Sequence, residues 1–294
     1  MEPLISLSHL EKRYDGFALS DVSLTVEPGT VVGLIGANGA GKTTTLKALL
    51  GLIEPDAGRI ELLGEALTAG SSAASAVKGR IGVVLDTCAF PAPCTVAGVG
   101  AIGRAAYPTW DKDAYQQLCA SFGLAPKKKV SELSRGMGMK LTLAFALAHH
   151  PQLLILDEAT AGLDPLAREE VLDLLRQFMD DEDRGILMST HITSDLEKIA
   201  DEIVCIDQGQ VLFSLPKEAI TDEAAVARCR TAELEEVLAS PFFDPGEAFF
   251  ERRSHHADLL VPDRAAFARA FPAIALDRAT IEDYMALRLK GENR

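Results

Sequence analysis

The chain has 294 residues, of which 48% are hydrophobic and 24% charged, the balance of a folded globular protein; this excludes a disordered tail or a collagen-like rod. At roughly 100–200 residues per domain, the length allows one large domain with an appendage, or two domains. Lys and Arg number 29 against 43 Asp and Glu, a net charge of −14, and a field of that sign repels phosphate backbones and anionic membrane surfaces, so nucleic acid is a poor partner.

The start, with acidic Glu2 and helix-breaking Pro3, reads against a secretory signal. The runs LISLS (Leu4 to Ser8) and VSLTV (Val22 to Val26) alternate as strands of an antiparallel edge sheet do, and Pro28-Gly29 turns the chain onward. VVGLI (Val31 to Ile35) is instead a continuous apolar run, the pattern of a strand buried on both faces; a Gly-rich loop and a helical stretch, Thr44 to Leu50, follow it. Ala69 to Ala76 is Ala/Ser-rich and reads as a surface loop. IGVVL (Ile81 to Leu85) is another strand, and from about 87 to 150 helical patterns dominate, an insertion rather than another strand-helix repeat. Within it Lys127 to Lys129 reads as a solvated loop. The longest nearly uncharged stretch, Gly82 to Gly103, is broken by Asp86, Pro91 and Pro93, so no membrane span is expected and any membrane partner is another chain. LLIL (Leu153 to Leu156), GILMS (Gly185 to Ser189) and IVCI (Ile203 to Ile206) are further buried strands, separated by helical segments such as Leu166 to Met179. After about Ser214 these runs cease. Six of the twelve phenylalanines (Phe242, Phe243, Phe249, Phe250, Phe267, Phe271) crowd into the last quarter, which predicts a small core of its own. The five cysteines form no C-x-x-C pair and suit a reducing, cytosolic setting. The pairs His149-His150 and His255-His256 lack ligand-spaced partners and read as surface or helix-end residues.

Gly36-Ala37-Asn38-Gly39-Ala40-Gly41-Lys42-Thr43 has the form G-x-x-x-x-G-K-[ST], after a buried strand and before a helix. Glycines there let backbone N–H groups curl around phosphate oxygens at a helix N-terminus. Lys42 would reach the β- and γ-phosphates, and the Thr43 hydroxyl would ligate Mg²⁺. Asp157-Glu158 closes the strand LLIL, at the strand tips where α/β sheets hold ligands. Asp157 would hold Mg²⁺, and Glu158 could polarise the water that attacks the γ-phosphate; by themselves such carboxylates also serve as turn or cap residues.

With these motifs the chain resembles the ATP-binding subunits of ABC transporters, whose cassette adds a short LSGGQ signature ahead of the Asp-Glu strand. Here Leu133-Ser134-Arg135-Gly136-Met137 stands at that place, with Ser134 23 residues before Asp157 and a helix predicted over Gly138 to Ala148. Ser134 at a helix start would leave orphan N–H groups for an anion, or would simply cap the helix. The resemblance covers most of residues 1–215. It implies that Tyr14, 28 residues before Lys42, stacks on adenine, with a core tyrosine as the plain alternative. It further implies that Gly36, Ala37, Asn38, Gly39, Ala40, Gly41, Lys42, Thr43 and Thr44 bind ATP. Ser134, Arg135 and Gly136 would then meet the ATP of a partner chain, and Ala161 to Pro165 would form a dimer-contact turn, where Pro165 also suits the first position of a helix. His191 would be the switch histidine, 33 residues past Glu158.

The chain departs from the family pattern where a lid glutamine is usual: Asp86 stands there, 44 residues after Lys42, and can ligate Mg²⁺ but cannot donate as an amide does. Arg135 and Met137 alter the signature, and Ala159 replaces a proline. With the Pro108 to Asp111 stretch, these features resemble the branch of bacterial antibiotic-resistance and cell-envelope exporters. The expectation is an α/β P-loop cassette of ABC type over 1–215, with a parallel-sheet core, antiparallel edge subdomain and helical insertion, and a C-terminal α+β accessory domain over 216–294. Glu158 and His191 would be catalytic, Thr43, Asp86 and Asp157 would hold Mg²⁺, and ATP would be the substrate. A second cassette and a membrane permease would be the partners, on the cytoplasmic face. Two alternatives stand: a slow or non-hydrolysing regulatory ABC protein, and a soluble ABC protein of DNA repair or translation.

Overall fold

A computed structural model describes residues 2–67 and 76–293, and divides into two compact units, Met1–Ile192 with Ile206–Leu212, and Thr193–Cys205 with Phe213–Arg294. The Ala/Ser-rich stretch lies outside the described residues, save Ala76.

In the first unit β1 (Ile5–Tyr14) and β2 (Phe17–Val26) pair antiparallel from Ile5 opposite Val26 to Tyr14 opposite Phe17. Both outrun the alternating apolar runs in the sequence, because the polar ends are held by pairing with each other. The β4 strand (Ala57–Leu62) adds to the other edge of β1, and β5 (Glu65–Ala66) follows, giving the order β2-β1-β4-β5.

The second layer is built from β3 (Val31–Ile35), β6 (Ile81–Val84), β7 (Leu153–Asp157) and β8 (Gly185–Ser189). They are parallel and adjacent in the order β3-β8-β7-β6. Every residue of β3, β7 and β8 is buried, as their unbroken apolar runs require. Parallel register brings the C-terminal ends of these strands to one edge, and α1 (Lys42–Leu49) starts from the end of β3. The helical insertion contains α2 (Val96–Ala106), α3 (Lys112–Ser121) and α4 (Arg135–Leu147). Helix α4 begins three residues before the predicted start because Ser134 caps it, accepting from the N–H of Met137 at 3.3 Å. Helix α5 (Pro165–Phe178) has Pro165 in its first turn, with Asp164 as its cap.

His149 departs from expectation. It is buried at 1% exposure, its ring stacks on Tyr107 with centroids 4.0 Å apart, and Nε2 donates to the Ile81 carbonyl at 3.2 Å. The segment Tyr107 to Asp111 folds over the end of α4, where Thr109 Oγ1 donates to the His149 carbonyl, and so encloses the ring. His150 is exposed and pairs with Asp111, as a helix-end residue does. Burial lowers the His149 pKa below its ordinary 6.5, against the smaller upward pull of the bond to Ile81. The folded state therefore stays neutral where the unfolded chain already binds a proton, so this contribution to stability is complete above about pH 6.5 and drains away as pH falls below it. Between pH 7 and 5 the wild type should lose stability more steeply than His149→Gln, by up to about 1.4 kcal/mol per pH unit. Urea midpoints measured across that range check it; equal slopes would refute it.

In the second unit α6 (Thr193–Ile199) is followed by β9 (Glu202–Asp207) and β10 (Gln210–Pro216); the last residues of β9 and the first of β10 belong to the first unit. Then come β11 (Ala225–Cys229), α7 (Thr231–Ala239), β12 (Phe249–Arg252), β13 (Ala257–Val261), α8 (Arg264–Ala270), β14 (Ala275–Arg278), α9 (Ile281–Lys290) and β15 (Glu292–Asn293). The antiparallel sheet runs β14-β11-β13-β12-β15, so its first four strands carry the βαββαβ pattern. Phe250 and Phe267 are buried with Leu234, Val237, Leu259 and Val261, and Phe242, Phe243 and Phe271 pack around them. Phe249 lies apart from this cluster, its ring under the Arg288 guanidinium at 4.4 Å.

Candidate functional site

The loop after β3 bends by means of glycine. Gly36 has φ +149°, and a Cβ there would fall 2.1 Å from the carbonyl oxygen of Ile206. Gly39 has φ +83° but open space around it. Two different costs follow: Gly36→Ala meets backbone and must displace it, whereas Gly39→Ala meets only the positive-φ penalty, about 1–3 kcal/mol. Gly36→Ala should therefore fail to bind nucleotide and lower the melting temperature further than Gly39→Ala, which should stay folded. Thermal melts with ATP titrations on both variants decide it; equal losses would count against the steric reading.

Lys42 opens α1 and is only 7% exposed. Its Nζ donates to the Gly36 carbonyl at 2.7 Å and the Ala37 carbonyl at 3.2 Å, so the lysine braces the loop it belongs to. One residue on, Thr43 Oγ1 donates to Asp157 Oδ2 at 3.1 Å. Asp157 is 3% exposed, and its other oxygen, Oδ1, is buried without a hydrogen-bond partner. A buried carboxylate oxygen left bare beside a threonine hydroxyl is a donor set that fits a hard divalent cation such as Mg²⁺.

Glu158 follows with φ +54°, an uncommon conformation for a residue with a side chain. Its N–H donates to the Ser189 carbonyl at 2.9 Å, which holds the turn against β8. The turn aims the carboxylate across the strand tips to His191, whose Nδ1 donates to Glu158 Oε2 at 2.7 Å. The Glu158 side chain is 18% exposed and that of His191 58%, so the pair sits at the mouth of the site.

An open cavity of about 590 Å³ is floored by residues 37–44 and walled by Gly16, Phe17 and Glu158. Sequence reasoning overlooked Phe17; its only signal was its place directly after the Tyr14-Asp15-Gly16 turn. Tyr14 is 47% exposed, so it is no core residue; it is the strand partner of Phe17, and Lys12 Nζ lies over its ring, 5.7 Å from the centroid.

The remaining predicted residues gather elsewhere. Ser134, Arg135 and Asp86 line a second cavity of about 430 Å³ with Cys88, and Gly136 packs against the 161–165 turn, where a Cβ would lie 3.1 Å from Leu163 Cδ2. Within one chain the structure therefore brings Lys42, Thr43, Asp157, Glu158 and His191 together, and sets Asp86 with Ser134 and Arg135. The Asp164 carboxylate, held below the usual carboxylate range chiefly by the N–H of Ala167, fixes the turn between them.

The ABC transporter family pattern matches residues 19–161. The bacitracin transport ATP-binding protein BcrA of Bacillus licheniformis is 35% identical over 219 residues, 74% of this chain and 71% of that protein. The Nod factor export ATP-binding protein I of Burkholderia orbicola is 39% identical over 213 residues, 70% of this chain and 68% of that protein. Among solved structures, an ATP-binding subunit of an ABC transporter superposes with a TM-score of 0.67 at 29% identity, covering 74% of this chain and 91% of that one. A dimeric ATP-binding cassette bound to ADP and Pi shares the fold, with a TM-score of 0.65 at 19% identity over 72% and 98%. The phosphate loop, the cation-ready aspartate and the Glu158-His191 pair thus stand within a cassette whose relatives are named as ATP-binding proteins of transport and export, and the chain belongs to the ABC transporter family as an ATP-binding, ATP-hydrolysing subunit.

Proposed function

We propose that the chain hydrolyses ATP at the strand tips, with Mg²⁺, to drive a separate membrane permease that exports an antibiotic, peptide or lipid-like compound. The observation that carries the hydrolytic centre is the run Thr43, Asp157, Glu158 and His191 across three adjacent strand ends, with one Asp157 oxygen bare. The name of the Nod factor relative supports the export direction, and that of the bacitracin relative supports transport of an antibiotic peptide or similar compound. No described helix is long and apolar enough to cross a membrane; in this reading the chain takes a peripheral place on the cytoplasmic face, where ATP is supplied, held through the permease. Residues 1–215 would be the cassette and 216–294 an accessory domain.

In this reading residues 37–41 and Lys42 hold the β- and γ-phosphates, Tyr14 stacks on the adenine, and Thr43 and Asp157 hold Mg²⁺. When bound, Mg²⁺ would neutralise charge on the phosphate oxygens. Glu158 accepts the proton of the attacking water and His191 orients the carboxylate. Ser134, Arg135 and Gly136 stand apart from the Lys42 cavity in one chain, which supports their meeting the nucleotide of a second cassette, identical or not. ATP bridging both chains then favours a closed dimer, and loss of the γ-phosphate releases it.

Co-expression with a candidate permease tests the reading. The two should co-purify in detergent, and the permease should raise Mg²⁺-dependent ATP turnover. A chain that neither turns over ATP nor retains any membrane protein would refute it.

A further inference from the structure

The helical insertion of the first unit holds a cavity of its own, about 530 Å³, between α2 and α3, within the range usual for small-molecule sites. The two helices run in opposite directions along it. The Ala97 N–H at the start of α2 donates to the Pro126 carbonyl beyond the end of α3 at 2.9 Å. Trp110, just before α3, lies instead against Gly103 near the end of α2. Side chains four apart share a helix face, so Ala97 and Ala101 line the cavity from α2, and Lys112, Gln116 and Ala120 line it from α3.

The aromatic rings are wall and not plug. A Cβ on Gly100 would fall 2.6 Å from Tyr115 Cε1, and one on Gly103 2.2 Å from Trp110 Cζ3, so both rings press flat on the α2 backbone and leave the space beside them open. The Tyr115 hydroxyl is spent on the Val96 carbonyl at 2.7 Å. Burial pushes the Cys119 thiol up, which keeps it neutral.

Polarity is divided along the length. Leu124, Pro126, Cys119 and Ala120 make one end apolar, and Arg104 and Lys112 stand at the other. From Ala97 to Arg104 the helix rises about 10 Å. Both cations are exposed, and neither has a side-chain partner among the described residues. No carboxylate lines the cavity, although the chain carries 43 Asp and Glu. Of the two acids beside Lys112 in sequence, Asp111 is committed to capping α3 and to His150, and Asp113 lies off the lining.

We propose that this cavity binds a single-chain anionic amphiphile, a medium-chain carboxylate with its tail along Leu124 and Cys119 and its head between Arg104 and Lys112. Charge complementarity selects that class: a neutral apolar guest leaves two cations unanswered, and a sugar or nucleotide finds few polar groups on the walls. The site is separate from the phosphate loop and does not depend on the function proposed above.

Trp110 lines the cavity and is the single tryptophan of the chain, so its fluorescence reports occupancy. The test titrates the full chain, without nucleotide, with decanoate below its micelle concentration. A saturable change is expected, with a dissociation constant of about 10–100 μM. Decyltrimethylammonium, with the same tail and the opposite charge, should bind at least about tenfold more weakly, and Arg104→Gln with Lys112→Gln should cost decanoate about tenfold. Ala120→Phe, which fills the cavity from an exposed wall position, should lose binding. A thermal melt shows whether that variant folds; if it does not, Ala97→Phe fills the same space from α2.

No saturable signal up to about 1 mM decanoate would overturn the proposal. So would undiminished binding in the folded cavity-filled variant, or equal binding of the two surfactants. A membrane protein that shields Trp110 from acrylamide quenching, while decanoate neither binds nor competes, would assign the cavity to protein docking instead.

Discussion

Glu158→Gln should abolish most ATP turnover, lowering kcat by about 10²- to 10⁴-fold, the range set by removing a positioned general base. The amide has the shape of the carboxylate and its oxygen can still accept from His191 Nδ1, now 2.7 Å from Glu158 Oε2, so the pair and the turn should survive. What is lost is the capacity to take a proton from water. Nucleotide affinity should move little, because Lys42 and the loop carry the phosphates. A variant that binds ATP without hydrolysing it should accumulate in the closed arrangement, so solution mass with ATP and Mg²⁺ should shift from monomer to dimer in Glu158→Gln and return on chelating the metal. Turnover retained in Glu158→Gln would place the base elsewhere. Wild type that binds ATP without turnover or dimerisation would favour a regulatory protein, or a site completed by a different cassette.

The parts of this site that could be read from the sequence are those fixed by local geometry. An unbroken apolar run can only be a strand or helix buried all round, so Val31 to Ile35 and Leu153 to Leu156 announce β3 and β7, and the residues that follow them must emerge at one sheet edge. Lys42 and Asp157 are therefore placed by their neighbours in sequence. Pro165 at the start of α5 is likewise a local matter, since its fixed φ and missing N–H suit that position.

What could not be read depends on residues distant in sequence. The positive φ of Glu158 is imposed by its N–H bond to Ser189 on the neighbouring strand, and nothing in the pair Asp157-Glu158 foretells it. His149 carries no periodic signal of burial; its enclosure comes from Tyr107 and Thr109, forty residues away. Asp86 is expected at the metal because it stands where the family has a lid glutamine, and that resemblance does not foretell the cavity it lines with Ser134 and Arg135, about fifty residues on. Helix α6 groups with the C-terminal unit, where Glu197 accepts the N–H of Ile281, 84 residues along the chain, a pairing that neither helix predicts alone.

Lys42→Ala should weaken ATP binding by about a hundredfold or more, the worth of two charge-assisted contacts to phosphate. The nucleotide-free geometry adds a second, separable consequence. Nζ is buried and donates to the carbonyls of Gly36 and Ala37, so the lysine is part of the loop's internal structure before any phosphate arrives. Removing it leaves two carbonyls and a gap, which should lower the stability of the nucleotide-free protein by about 1–3 kcal/mol. Lys42→Arg separates the two roles. Its charge is kept, but a planar five-donor fork cannot occupy the compact place of an ammonium between two carbonyls 2.7 and 3.2 Å away. It should therefore recover little of the affinity despite its charge. Isothermal titration with ATP and denaturant unfolding without it measure the two effects independently. If Lys42→Arg bound ATP as the wild type does, charge alone would suffice, and the bracing of the loop by Nζ would have no part in holding the phosphates.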